Sequence, residues 1–476
     1  MAWNRSDLIP WLICKRIGRG RRTSAGIAAT LVAALSVPLI VPTAHAATLR
    51  HMLWDSAQKP IYQQCADDFQ RRHPGTRIRL QQLGWDDYWG ALSTGFVADS
   101  APDVFTNHTI KFAEQVINGV LLDIAPLIAR ERVRTDVYED GLLANWSRGA
   151  AQYALPADWD TLALLVNLDM ARRAGITEAE LRNMNWNPGD GGSFGRIAAR
   201  LTRDKSGRDA LDAAFDKAQV QTVGYQTPGP GGMFGQSEWS HFAVSNGFSY
   251  QGAPWHGPLR YDDPALAQTL QWLTGLSQRG VSATPSAMGK IGADAMFVAG
   301  RVAMLPTGSW MLGHFTRNAR FAHAFVPLPI GPSGQRASMR NGLAHSIWRG
   351  TKHPAEAWAW LRYLGSPDCQ AVVATHGVVY PAVRGLSAVA AQAQRRLGAD
   401  PSAFLQAAAG PTFAPPIVDH SAQINDIFEL AIDRILRGRV PAAQALREAN
   451  GQANVLLGVA AGSGATRTPR QSSLPD

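Results

Sequence analysis

Past residue 46, short apolar stretches alternate with amphipathic ones in a β-α-β-α-β order, and this order restricts the fold more than any other feature of the chain. ATLRHMLWD (47–55) reads as a strand. IYQQCADDFQRRHPG (61–75) carries Ile61, Cys65 and Phe69 at helical spacing and stops at His73-Pro74-Gly75. TRIRLQQL (76–83) alternates with period two, DYWGALSTGFVAD (87–99) is helical, and APDVFTN (101–107) is a short buried strand. A helix then turns at Asn118-Gly119. Such an order predicts an α/β fold with a mostly parallel sheet flanked by helices. The 476 residues suggest two or three domains, and 46% hydrophobic against 17% charged residues supply a large core.

The N-terminus reads as an export signal (1–46). A basic start is followed by AGIAATLVAALSVPLIV, closed by Pro42, and then by Ala44 and Ala46 in a small-x-small cleavage pattern. The alternative is an uncleaved anchor, since about 20 apolar residues span a bilayer. This leader carries +5 of the +9 net charge. The remaining +4 is spread over 430 residues, with no basic stripe interleaved with aromatics, which argues against nucleic acid as a partner. Cys14 precedes the apolar run and so is not placed as a lipid acceptor. Cys65 and Cys369 lie 304 residues apart, and spacing alone leaves open whether they pair or are two buried small hydrophobes.

One segment differs from the rest. In YALPADWDTLALLVNLDM (153–170) an apolar strand meets Pro156 and a polar ADWD, and a second apolar strand follows nearly in line. Two strands so interrupted suit a crossing between two lobes. Downstream come a Gly/Pro-rich loop, TPGPGGMFG (227–235), an amphipathic helix over 265–280, and a helix with Pro near its first turn at 353–367. A helical pair broken at Gly438 and Pro441 spans 424–457, and the last residues (461–476) read as a disordered tail.

Motifs for catalysis and metals are missing. There is no HExxH, GxSxG or GxxxxGK, and no CxxC or His pair at helical spacing, so neither a cofactor nor a metal site is expected. Asp158 and Asp160 could suggest a glycosidase pair. Asp158 and Asp160, alternate residues of an extended segment, are expected to face opposite ways, and one local pair does not supply an acid and a base across a scissile bond. No catalytic residue is assigned.

The ordered set of stretches resembles the extracytoplasmic solute-binding proteins of ABC importers, in the carbohydrate-binding family related to maltose- and glycerol-3-phosphate-binding proteins. The resemblance rests on Trp54-Asp55, FQRRHPGTRIRLQQLGWDDYWGAL (69–92), APDVFTN with Asp103, the 153–170 crossing, FVAGRVAMLPTGSWMLG (297–313) and GVVYPAV (377–383). It covers nearly all of 47–460. It implies a two-lobed fold resembling periplasmic binding proteins, with a ligand cleft between the lobes: an N-terminal lobe of 47–158 plus 321–365 and a C-terminal lobe of 159–320 plus 366–460. It further implies a monomeric binding subunit in the cell envelope, with a carbohydrate ligand and ABC permease partners. The candidate ligand contacts sit at element ends: Trp54, Asp55, Asn107, His108, Asp158, Trp159, Asp160, Trp239, Gly308, Ser309, Trp310 and Tyr380. Gly308-Ser309-Trp310 are expected to open a helix with free N–H groups. Acidic residues suit the hydroxyls of a neutral sugar or the ammonium of an amino sugar. A glycerophosphodiester would want arginine, and Arg340 is the one placed near a lobe face, so that ligand ranks lower; a secreted glycosidase ranks lower still.

Overall fold

The computed structural model describes residues 46–288 and 291–459. Most of the expected leader (1–46) and the expected tail (461–476) lie outside the described residues. Strands β1 (Ala47–Leu53), β2 (Thr76–Gln82), β3 (Val104–His108), β4 (Ala154–Asp160), β8 (Asn341–Ile347) and β9 (Tyr380–Pro381) form one sheet in the order β9-β4-β8-β3-β1-β2. Strands β5 (Leu162–Asn167), β6 (Met304–Gly308) and β7 (His323–Val326) form a second sheet in the order β6-β5-β7. These two sheets are the cores of two lobes.

The expectation of mostly parallel sheets is corrected. β1 runs parallel to β2 and β3, with Ala47 opposite Thr76 and His51 opposite Val104. β8 runs antiparallel to both β3 and β4, as does β9 to β4, and both pairings of the three-stranded sheet are antiparallel. The reason is topological. The first strands are joined by crossover helices, which keep strand direction. Later strands enter after the chain has visited the other lobe and returned, so their direction is set by the point of re-entry. Strand pairing also puts His323–Val326 beside β5 and Tyr380–Pro381 beside β4, whereas Asn341–Ile347 lies in the first sheet.

Local chemistry accounts for the elements. The helix Lys59–Arg72 begins with Pro60 and buries Ile61, Tyr62, Cys65, Ala66 and Phe69 on one stripe. Its Cys65 forms a disulfide with Cys369 of the helix Pro367–His376, with Cα atoms 5.4 Å apart. Asp263 caps the helix Pro264–Gln278 by accepting from the Ala265 N–H at 2.7 Å. Every residue of β4 and β5 is buried. Between them lies one residue, Thr161, whose hydroxyl donates to the Phe404 carbonyl at 2.8 Å and whose carbonyl accepts from the Ser309 N–H at 3.0 Å. No helix among the described residues is long and apolar enough to cross a membrane.

Candidate ligand-binding site

A cavity of about 750 Å³ opens where the edges of the two lobes face each other. The first sheet contributes the ends of β1, β3, β4 and β8: Trp54 and Asp55, His108, Asp158 to Asp160, and Asn341 with Leu343. The other wall comes from Gln236 and from the turn and helix after β6, Ser309 to Arg317. Strand ends gather here because each strand stops where its lobe meets the gap, which leaves the following residues free to face it.

Aromatic surface dominates one side. Trp54 packs edge-on against Trp85 and Tyr88, with ring centroids 5.1 Å away in each case, and Trp85 packs edge-on against His108 at 5.5 Å. Trp85 and Trp310 remain 39% and 37% exposed, unusual for indoles in a chain that buries most of its tryptophans. Trp310 holds its position through Gly308: a Cβ there would collide with the Trp310 ring. Gly308 thus makes room for a contact rather than supplying one. The residues Ser309–Met311 form a single 3₁₀ turn, and the Ser309 N–H is spent on Thr161, so that one N–H is not free for a ligand.

The polar side is buried and acidic. Asp158 and Asp160 are 3% and 8% exposed. The expectation that they face apart is overturned, because residues two apart on a strand share a face, and both line the cavity. Asp158 Oδ1 accepts from the Leu343 N–H at 3.2 Å, while Oδ2 is buried with no partner. Asp160 Oδ1 accepts from Gln236 Nε2 at 3.0 Å. Burial pushes the Asp158 carboxyl up to about 7, the Leu343 N–H opposes that rise and Asp55 adds to it. Burial and then the neighbouring Asp158 push Asp160 well above the carboxylate range. His108 is driven down to about 3 by burial and then by Lys111, so its ring is neutral. The Ile110 N–H donates to Nδ1 at 3.2 Å, and Asn341 Nδ2 lies 3.0 Å from Nε2.

Of the candidates named from sequence, the cavity wall contains Trp54, Asp55, His108, Asp158, Trp159, Asp160, Ser309 and Trp310. Asn107 is fully buried behind it, donating to Gln115 and Ser346 and accepting from the His108 N–H at 2.8 Å, so it positions His108. Tyr380 is buried and stacks on Trp159 with centroids 4.6 Å apart. Trp239 is misassigned as a ligand contact: it is fully buried in the second lobe's core against Phe248, Tyr250 and Tyr261. The turn around Gly231, Gly232 and Gly235, all at positive φ, folds Trp239 inward and delivers Gln236 to the cavity instead. Arg340 does not line the cavity; its guanidinium sits 4.9 Å from the Trp159 ring centroid and 4.0 Å from Glu139. Trp85, Gln236, Asn341 and Arg317 were missed. Trp85 alone carried a signal, its Gly84 turn at a strand end.

Two sheet-built lobes closing on a cavity with an aromatic side and a buried polar side define a ligand trap. The description "bacterial extracellular solute-binding protein" fits residues 54–371, and the chain belongs to that family. A binding protein of Brucella abortus is 22% identical over 443 residues, covering 90% of this chain and 98% of the relative. The structure of M. tuberculosis UspC is similar, with 26% identity, a TM-score of 0.67, and coverage of 86% of this chain and 99% of UspC. An ABC substrate-binding protein of Listeria monocytogenes, solved with cycloalternan, is 18% identical with a TM-score of 0.73, covering 87% of this chain and 99% of its own. Among the described residues, no group of three or more His, Cys, Asp or Glu side chains is placed to hold a metal ion.

Proposed function

We propose that the protein is the binding subunit of an ABC importer, that it captures a saccharide between its lobes outside the cytoplasmic membrane, and that it passes the saccharide to a membrane permease. The observation that carries this is the cavity itself: indole surfaces of Trp54, Trp85 and Trp310 beside buried Asp158, Asp160 and Asn341 and half-buried Gln236. A sugar ring needs both. Its C–H face lies on an aromatic plane, and its hydroxyls need buried acceptors and donors that would be costly to leave unmatched. The solved relatives point the same way, since the Listeria protein was solved with cycloalternan and the GacH receptor of Streptomyces glaucescens with acarbose.

The lobe division fits best at Thr161, with the return between Val326 and Asn341, because these are the points where consecutive strands change sheet. We read the protein as a monomer without turnover. Asp158 and Asp160 approach a ligand from one strand face, whereas glycoside hydrolysis needs carboxyls flanking the bond. A glycerophosphodiester is disfavoured because Arg340 is turned away from the cavity.

The test is thermal unfolding of residues 47–476 against neutral sugars, amino sugars, glycerophosphodiesters and short peptides, with mass spectrometry of each ligand afterwards. A saccharide at 100 times its Kd should stabilise the fold by about 2.7 kcal/mol and be recovered unchanged. Stabilisation by glycerophosphodiesters alone would replace the saccharide reading, and recovery of cleaved sugar would make the protein a hydrolase.

A further inference from the structure

We propose that Arg340 is a positioning residue for ligand capture: its guanidinium, the Trp159 indole and the Tyr380 ring form a three-layer stack where the chain passes between the lobes, and this stack sets the angle between them. Arg340 stands at the boundary itself. Before it, Met339 is buried in the second lobe's core, and Ser338–Met339 pairs with Thr412–Phe413. After it, Asn341 opens β8 of the first sheet. The Arg340 N–H donates to the Phe413 carbonyl at 2.9 Å, which ties its backbone to that two-stranded ribbon. Its side chain instead reaches the first lobe, with the guanidinium 4.9 Å from the centroid of the Trp159 ring. Trp159 stands two residues before Thr161, so the contact joins the outgoing and the returning passages of the chain.

The sheet register puts the outer layers on opposite faces of the indole. β4 lies between β9 and β8, with Tyr380 paired to Trp159 on one side and Gly342 on the other. Tyr380 stacks from the β9 side, with centroids 4.6 Å apart and planes 25° from parallel. Gly342 has no side chain to fill the β8 side, and the guanidinium of Arg340, two residues earlier, approaches the indole from there. Trp159 and Tyr380 are 4% and 0% exposed. An indole covered on both faces offers a sugar no plane to lie on, so Trp159 borders the cavity as a mechanical part of its wall.

Among the described residues, no hydrogen bond joins the three side chains, and Trp159 Nε1 and Arg340 Nε have no partner at all. The Arg340 guanidinium lies 4.0 Å from the Glu139 carboxylate, beyond hydrogen-bond reach. Glu139 is held on the first lobe by its N–H, which donates to the Ala382 carbonyl at 2.9 Å. Trp159 and Tyr380 both belong to the first sheet, so the contact that moves with the lobes is the one between guanidinium and indole, backed by the phenol ring. A cation on an aromatic face is held by attraction that is broad in direction. It permits a small rotation in the plane of contact and resists separation, whereas a hydrogen bond weakens steeply with angle. The joint therefore lets the lobes turn about Thr161 and Arg340 while the two passages stay together.

The experiment reads the lobe angle with no ligand added, so it does not depend on which saccharide binds. Residues 47–476 carry nitroxide labels at Ser93→Cys on the helix Trp85–Val97 of the first lobe and Gln271→Cys on the helix Pro264–Gln278 of the second, both exposed positions. Their separation is measured by double electron–electron resonance. A second pair, Ser93→Cys with the exposed Ala355→Cys, reports on the first lobe alone. Arg340→Met keeps an apolar arm and removes the planar cation, and it should widen the interlobe distance distribution about two-fold. Tyr380→Leu, which removes the backing ring, should widen it as well, and Glu139→Gln should leave it as in the parent. The Ser93–Ala355 distribution should stay the same throughout, and circular dichroism checks folding; if one of the two stack variants fails to fold, the other decides. An interlobe distribution like the parent's in a folded stack variant, an equal widening in Glu139→Gln, or equal widening within the first lobe would each overturn the inference and leave the saccharide reading standing.

Discussion

Asp158 shows how a single buried carboxyl shapes stability. Burial raises its carboxyl in the native state to about 7, well above the usual carboxylate range. Between pH 4 and 7 the native state therefore holds a proton that the unfolded chain has lost, so stability falls as pH rises through that window and levels off above it. A rise of that size corresponds to roughly 4 kcal/mol. Asp158→Asn should thus be more stable than the parent at pH 8 and equal to it below pH 4, as measured by urea unfolding across that range; a less stable variant at pH 8 would contradict the burial argument. At the same scale, Trp310→Ala should weaken saccharide binding by about 1 kcal/mol through loss of one aromatic face. Gly308→Ala should do the same without touching the ligand, because the added Cβ evicts the Trp310 ring. Titration calorimetry on the pair checks this, and unchanged affinity in Gly308→Ala would show that the ring is free to move.

Elements locate these side chains through contacts far apart in sequence. Phe69 and Cys65 mark a core stripe on the helix Lys59–Arg72, but only the folded chain places Cys369 beside it. A bridge across 304 residues removes much unfolded-chain freedom, so replacing both cysteines by serine should cost about 2–4 kcal/mol in thermal unfolding under oxidising conditions. A double variant as stable as the parent would mean that the helices Lys59–Arg72 and Pro367–His376 are held by packing alone. The element scale also explains Trp239. Read along the chain, it follows a Gly-rich loop and suits a cleft. In the fold, that loop's left-handed glycines reverse the path, and the aromatic side chain joins the core while Gln236 takes the cleft position.

On the scale of the whole molecule, the lobes touch at a second place away from Thr161. The hairpin of Gln251–Ala253 and His256–Leu259 belongs to the second lobe, tied to the helix Ala442–Leu456 by the Leu259 N–H donating to Asn454 Oδ1 at 2.8 Å. Its tip, Trp255, reaches the first lobe: Nε1 donates to the Ser147 carbonyl at 3.1 Å, the ring lies 5.8 Å from Phe112, and the Arg148 guanidinium covers it at 4.7 Å. Trp255 adopts a left-handed φ of 66°, a costly conformation for a non-glycine residue, and its N–H donates to the Ile417 carbonyl at 2.7 Å. Trp255→Ala should loosen this contact, enlarge the radius of gyration in X-ray scattering and weaken ligand affinity about three-fold by favouring separated lobes. Unchanged scattering and affinity would show that the crossing strands alone set the spacing.

Periodicity, turn residues and strand-ending aromatics were enough to mark the helices, the β4–β5 crossing and the acidic residues within it, because those signals are written within a dozen neighbouring residues. Eight of the twelve candidate contacts came to line one cavity for that reason: strand ends are visible locally, and in this fold strand ends meet the gap. Sheet direction, the Cys65–Cys369 bridge, the inward turn of Trp239 and the arrival of Gln236 and Asn341 beside the two aspartates were decided only in three dimensions. Each depends on which distant segments share one side of a sheet, and that is settled by burying the whole apolar surface at once rather than by any local pattern.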